Sequence, residues 1–419
     1  MLVSCALLAV LELVFPAPDP DYCAHMLWGR TVAGGGIPRI SRDAMFDDCS
    51  IYYPDTVPKP AQLLLVALAE LAGGGAAHAV LRILLAASAV LAAAYAGLRA
   101  AGGPRGALTA GLVTGLHPVF VSLALGGSPS IPFLALLFLS TPLSCSAAAF
   151  LRPEGAAYAA VALLRKRSAS AVVLLAAALL SWPALNLLMA GSAAWSAREV
   201  IYVVSAMPFP TPGPLGCLPW AAFRGLLVAG PVLLASLLLR IRNWPHAPAA
   251  GIHLVILCLS LEAGSLALPR YVDQIFLLSI PWAVAALQEV TGRLGRCRAA
   301  AITWLAVAGA MGLWIETAGT IVSESLLGRE LDRIGSGGFE GRLAANELLI
   351  PRIALSAGIN DPSAAFVALD RMVYEGREPS DLGVGRIVVC THGIYLPART
   401  AVWLAADHGV PVDTIAPAR

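Results

Sequence analysis

From Ser168 to Met189 the chain reads SASAVVLLAAALLSWPALNLLM, without one charged residue. A run of that length and character can cross the hydrocarbon of a bilayer, which takes roughly 20 apolar residues. Arg165, Lys166 and Arg167 stand immediately before it. Comparable apolar stretches occupy about 1–15, 77–98, 107–124, 223–240, 250–267, 271–288 and 299–316. With 58% of its 419 residues hydrophobic and 13% charged, the chain has too little polar surface for a water-soluble protein of this length, so a membrane is its natural solvent. The net charge of +2 says nothing of nucleic acid, and no basic cluster has the density such a partner needs, so none is expected.

Residues 130–165 are too long for one span and are interrupted by Pro and charge. They read as three short helices, broken near Thr141–Pro142 and at Arg152–Pro153–Glu154–Gly155. The expectation is then an all-α polytopic membrane protein of about 11 transmembrane helices. Under this count Arg99 and Arg105, then 165–167, then Arg240 and Arg242, then Arg293, Arg296 and Arg298 share one side. The positive-inside rule makes that side cytoplasmic. Residues 16–76 become a large first outer loop and 190–222 a second. Residues 1–15 lack the basic start and the small-residue cleavage site of a secretory signal, so they read as a retained first membrane helix. Residues 59–73 are too short to cross and read as a helix lying along the outer surface, its Lys59 at headgroup level.

A membrane domain over 1–316 is therefore expected to precede a soluble, extracytoplasmic α/β domain over 317–419. In that tail GRLAANELLIPRIALSAG and PSAAFVALDRMVYEG carry helical spacing, whereas GRIVVCTHG, ARTAVWLAADHG and VPVDTIA read strand, helix, strand. The eight cysteines show no CxxC pairing, which argues against a structural zinc site. Cys23 and Cys49 share the first outer loop, either as a disulfide or as two thiols.

The polar residues of an apolar chain each need a reason. Asp19 and Asp21 stand at the mouth of the first helix, as caps of a following helix or as a general base or metal ligand. His25, four residues after Asp21, would share its helix face, a spacing that suits a divalent metal held by Asp21 and His25. Asp47, Asp48 and Asp55 read as loop solubilisers. Arg152 and Glu154 interrupt an apolar stretch, either facing a polar cavity or closing a tight turn as a pair. Glu262, Arg270 and Asp273 gather at the outer ends of two spans, and Arg82 is placed to snorkel to the headgroups.

The order of these features resembles the C-type glycosyltransferases (GT-C), in particular the group of protein O-mannosyltransferases and aminoarabinose transferases. DYCAHMLWGRTVAGG, residues 21–35, is similar to their first-loop motif: an acid, aromatics, Arg30 nine residues on, then glycines. PKPAQLLLVALAEL is similar to the start of their second juxtamembrane helix, FLRPEGAAY to an Arg-Pro-Glu element, and LPRYVDQIFLLSIPW, with Arg270 and Tyr271, to an Arg-Tyr membrane helix. The resemblance covers about three quarters of the chain. It implies Asp21 as catalytic acid–base group and Lys59, Arg270 and Arg152 as ligands of the donor phosphate, with Asp19, His25, Arg30, Glu154 and Tyr271 auxiliary. The second acidic loop of the family is absent: that loop reads GGSPS.

The activity implied is transfer of a sugar from a polyprenyl-phosphate donor to an acceptor hydroxyl of a protein, lipid or glycan, at the outer face of the plasma membrane. No cofactor is required by the reading, a divalent metal being the one candidate. The alternatives are a non-catalytic membrane subunit or a lipid-linked-sugar flippase or transporter. A secondary transporter would predict internal repeats and charges near the midplane, and neither is seen in the sequence.

Overall fold

The structure, a computed structural model, describes residues 2–38, 59–196, 214–262, 269–292, 296–360, 362, 365–391 and 398–415. In chain order its first helices are α1 (Leu2–Val14), α2 (Pro20–Ala33), α3 (Pro60–Gly73), α4 (Gly75–Ala101), α5 (Pro104–Gly115) and α6 (Pro118–Leu125). There follow α7 (Ser130–Phe138), α8 (Pro142–Ala148), α9 (Gly155–Arg165), α10 (Ala169–Ala190), α11 (Pro214–Leu239), α12 (Ala247–Glu262), α13 (Pro269–Gly292) and α14 (Arg296–Ser336). The remainder alternates strand and helix: β1 (Arg342–Ala345), α15 (Ile350–Ser356), β2 (Phe366–Ala368), α16 (Leu369–Glu375), β3 (Val384–Cys390), α17 (Ala398–Trp403) and β4 (Val412–Ile415).

The chain divides into two compact units, each drawn from separate segments. One comprises Met1–Val14, Ala79–Ser181 and Pro210–Thr320, and the other Phe15–His78, Trp182–Phe209 and Ile321–Arg419. Residue 317, where the sequence reading begins its soluble domain, falls inside α14.

The first unit is helical. Among the described residues four helices are long and apolar enough to cross a bilayer: α4, α10, α11 over 216–239 and α13 over 271–292. The pair α5 and α6, bent by 59°, makes a fifth if it counts as one span. The chain is thus a mostly helical membrane protein; four or five spans among the described residues do not by themselves confirm the expected eleven. Proline and glycine set the breaks between the shorter helices. Residues 130–165 are cut so finely that α7 has 9 residues and α8 has 7, rising only about 10–14 Å. Thr141 caps α8 through the Ser144 N–H with Pro142 at the first turn, so the break belongs to the local sequence. A second break is a kink in α11, where Gly230 adopts φ 70° before Pro231, a left-handed conformation open to glycine.

Two cations set among the helices of this unit are paired. Arg82 does not snorkel: it is buried and bonds Glu12 on α1 through Nε and Nη2. Asp273 on α13 takes a two-pronged ion pair from Arg224 on α11, with Nε–Oδ1 at 3.0 Å and Nη2–Oδ2 at 2.7 Å. Burial of a lone charge in this environment would cost several kcal/mol, so each cation is met by a carboxylate on a neighbouring helix.

The second unit contains a four-stranded parallel sheet of order β2–β1–β3–β4. The segments LAA and FVA, read from sequence as parts of helices, are strands β1 and β2. Apolar runs of three or four residues carry no usable periodicity, so the sheet decides them. Alternation along β1 feeds two cores. Leu343 and Ala345 point into one with Phe366, Val388, Ile350 and Ile353, whereas Ala344 joins Val367, Met372 and Val389 in the other. The first of these cores also holds Ala24, Leu27 and Trp28 of α2 and Leu63 of α3. The two helices of the first polar loop are therefore built into the same core as the tail.

Candidate functional site

The start of α2 sorts the two aspartates. Asp19 precedes Pro20, which biases it to extended backbone, and it stands at φ −72°, ψ 161°. Its Oδ1 accepts the Tyr22 N–H at 2.7 Å, so Asp19 is the N-cap. Asp21 lies in the first turn, where the partial positive charge of the helix end favours a carboxylate.

Lys59 is set by the same proline rule at the start of α3. Preceding Pro60, it is extended at φ −101°, ψ 116°, and its carbonyl accepts the Leu63 N–H that opens the helix. Its backbone N–H donates to His25 Nε2 at 3.1 Å, and its ammonium lies 3.6 Å from Asp21 Oδ2. Both side chains are largely buried, 13% and 12% exposed. His25 completes the arrangement, with Nδ1 at 2.7 Å from the Asp21 carbonyl. Because Nε2 accepts from Lys59, Nδ1 is the protonated nitrogen and donates. Burial, and then the charge of Lys59, pushes the imidazole down to about 3, so His25 is neutral at physiological pH.

Close approach of α2 to α3 holds this geometry. A Cβ on Gly29 would stand 2.8 Å from Val66 Cγ1 and 3.1 Å from the Ala67 nitrogen. With both ring nitrogens of His25 bonded to main-chain groups and Asp21 facing an ammonium, the expected Asp21–His25 metal pair is not assembled. Among the described residues no three His, Cys, Asp or Glu side chains gather to hold a metal ion. His25 instead ties α2 to the residue before α3.

A second chain of contacts in this unit was not foreseen from sequence. Tyr22 Oη lies 2.9 Å from His78 Nδ1, His78 Nε2 lies 2.8 Å from Glu70 Oε1, and Arg30 Nε donates to the same oxygen at 3.2 Å. Facing a carboxylate, Nε2 carries the ring proton, and Nδ1 accepts from the phenol when the ring is neutral. The signal available in sequence was a histidine and a glutamate set into the apolar run of residues 60–85.

The first unit has its own polar cluster at the break between α8 and α9. Arg152 donates from Nη1 to Ser130 Oγ at 3.0 Å and from Nη2 to Glu154 Oε1 at 3.1 Å. Ser130 Oγ donates to Gln274 Oε1 at 3.0 Å, and the guanidinium stands 5.5 Å from the Tyr271 ring. His253 Nε2 lies 3.9 Å from Glu154 Oε1. Arg152 Nε, Glu154 Oε2 and Gln274 Nε2 are buried without a hydrogen-bond partner among the described residues. Buried polar atoms are normally satisfied, so two donors and an acceptor left over in one cluster mark a place for water or a polar ligand. Both sequence readings of Arg152 and Glu154 thus meet here: they pair, and they face other polar groups.

Asp21, His25 and Lys59 are brought together in the second unit, where Asp19 and Arg30 also lie with other partners, and Arg152, Glu154 and Tyr271 are brought together in the first. Cys49, Asp47, Asp48 and Asp55 lie outside the described residues, as do the side chains of Glu262 and Arg270.

In structure the chain is similar to ArnT from Cupriavidus metallidurans bound to undecaprenyl phosphate, with a TM-score of 0.45 and 14% identity, over 98% of this chain and 88% of that one. It is also similar to the apo state of ArnT from the same organism, with a TM-score of 0.42 and 15% identity, over 89% and 90%. ArnT is an aminoarabinose transferase of the GT-C class, the class that the sequence resembles. No family model matches the chain, and no curated protein matches it.

Proposed function

We propose that this protein is a membrane glycosyltransferase that moves a sugar from a polyprenyl-phosphate donor to an acceptor hydroxyl, with inversion at the anomeric carbon. The observation that carries the reading is the Asp21–Lys59 pair: a carboxylate and an ammonium 3.6 Å apart, shielded from water, each at the start of its own short helix. Asp21 sits in the residues that resemble the GT-C first-loop motif, and Lys59 in those that resemble the start of the second juxtamembrane helix.

In this mechanism the phosphate of the donor draws the Lys59 ammonium to itself. Asp21 is thereby released from its ion-pair partner. It takes the proton of the acceptor hydroxyl as that oxygen attacks the anomeric carbon. The new bond is acceptor oxygen to carbon, the bond that breaks is carbon to phosphate oxygen, and the polyprenyl phosphate leaves as a dianion steadied by Lys59. His25 fixes the backbone on both sides of the pair. The residues at Asp21 and His25 do not fit a metal ion, and no step is routed through one. Arg152, with its unsatisfied neighbours, is proposed as an oxyanion-binding group, and Arg270 as the second arginine that the resemblance implies. The reading includes eleven membrane passages, with the first loop and the tail outside the plasma membrane, supported by the distribution of arginine clusters.

The test is mass spectrometry of polyprenyl-phosphate sugars and envelope glycans from a strain lacking the gene, paired with an assay of the purified protein on the lipid that accumulates. Accumulation of one lipid-linked sugar and its consumption in vitro are expected. If nothing accumulates and no such donor is consumed, the protein is a non-catalytic subunit instead.

A further inference from the structure

A cavity of about 490 Å³ lies wholly within the first unit, between the C-terminal parts of α4, α9, α11 and α13. That volume falls in the range of small-ligand sites, roughly 300–1,000 Å³. Its floor is apolar: Phe138 and Trp282, both buried, have ring centroids 6.5 Å apart with planes at 30°. Its rim is basic, with Arg99, Arg165 and Arg240 set against the carboxylate of Glu289 among the described lining residues. Arg240 bonds Glu289, Arg165 is anchored by donating from Nη1 to the Pro245 carbonyl at 2.6 Å, and Arg99 stands 5.8 Å from the Tyr95 ring.

A cation at a helix C-terminus already has a reason, because it complements the partial negative charge there. That reason accounts for single arginines but not for a ligand-sized cavity with an aromatic floor between them. The surroundings point to a lipid. Helices α4, α11 and α13 are long and apolar enough to cross a bilayer, so their ends come to headgroup depth. Each arginine also follows a leucine turned outward: Leu98 is 41% exposed, Leu164 86% and Leu239 73%. A soluble anion has no use for these leucines, whereas the acyl chains of a lipid held by its headgroup would lie along them.

We propose that this cavity binds the headgroup of an anionic phospholipid, with Arg99 and Arg165 on its phosphate and the Phe138–Trp282 floor beneath its glycerol backbone. The site does not rest on the transferase reading. It is at the Arg165 end of α9, whereas Glu154 precedes the other end. Basic pockets between membrane helices are a common way of capturing such headgroups.

Native mass spectrometry of the full-length protein, with phosphatidylglycerol or phosphatidylcholine added in equal amount, tests the proposal. Phosphatidylglycerol should be retained preferentially, and the R99Q/R165Q variant should retain it about tenfold less, given the attraction of two basic side chains for an anionic lipid. The R99K/R165K variant should keep most of the preference. As a measurement that needs no variant, hydrogen exchange of the unaltered protein in nanodiscs should show segments 138–140 and 282–289 better protected with phosphatidylglycerol than with phosphatidylcholine. Equal retention of the two lipids, unchanged retention by R99Q/R165Q, or no difference in protection would overturn the proposal. Displacement of the lipid by millimolar inorganic phosphate would also overturn it, assigning the cavity to a soluble anion.

Discussion

The Lys59 ammonium lies 3.6 Å from the Asp21 carboxylate while the Lys59 backbone N–H donates to His25, whose other ring nitrogen bonds the Asp21 carbonyl. Side chain and main chain of the same two residues are thus joined twice, once by charge and once through one imidazole. A carboxylate and its counter-cation held this way have little freedom to drift, which is the condition for a reaction that needs both in register.

Asp21→Asn keeps the size of the side chain and removes its basicity. Turnover with the correct donor should fall about 10²–10⁴-fold, the usual worth of a general base, with donor binding retained. Asp19→Asn is the control: Asp19 caps α2, and Asn caps about as well as Asp, so activity and thermal midpoint should barely move. A dead Asp19→Asn beside an active Asp21→Asn would reverse the assignment.

Lys59→Ala should weaken donor binding by about tenfold or more, since a charge-assisted contact is worth roughly 1.5–3 kcal/mol. Lys59→Arg should restore binding only in part, because a planar fork replaces a point charge poorly. Equilibrium binding of a labelled polyprenyl phosphate measures both. Binding equal to that of the unaltered protein would remove Lys59 from the donor site.

His25 makes stability depend on pH with a definite sign. Its folded value of about 3 lies below the ordinary 6.5, so the unfolded chain binds the extra proton between those values. The contribution is complete above pH 6.5 and is lost as pH falls toward 3. Between pH 8 and pH 5 the loss should be about 2 kcal/mol. Thermal midpoints in detergent at the two pH values should differ less in His25→Gln than in the unaltered protein. An equal difference in both would show that other groups carry the effect.

Asp273 on α13 is the ion-pair partner of Arg224 on α11. Asp273→Asn strips the partly buried Arg224 of its carboxylate and should destabilise by up to about 3–5 kcal/mol, whereas the double change Arg224→Met with Asp273→Leu should recover most of it. Thermal unfolding of the three variants decides this. A double variant no more stable than the single one would mean that the ion pair itself holds α11 to α13.

Much of this protein is legible along the chain. The uncharged run at 168–189 becomes α10, and the breaks at Thr141–Pro142 and Arg152–Gly155 separate α7, α8 and α9. The prolines after Asp19 and Lys59 dictate extended backbone and the first turn that follows. These features depend on interactions within a few residues, where proline geometry, capping and apolar length act.

Partner choice is a different matter. Glu12 meets Arg82, Arg224 meets Asp273, and Tyr22 reaches Glu70 through His78, each across tens of residues. Strands β1 and β2 likewise exist because neighbouring strands bond them, since LAA and FVA have no periodicity of their own. Helix length is local, but which faces meet depends on close approaches such as Gly29 against Val66. A buried charge takes whichever opposite group the packing delivers, because in a low-dielectric interior the cost of remaining alone exceeds any local preference. Composition therefore puts the chain in a membrane, and tertiary packing sets a carboxylate beside the ammonium of Lys59.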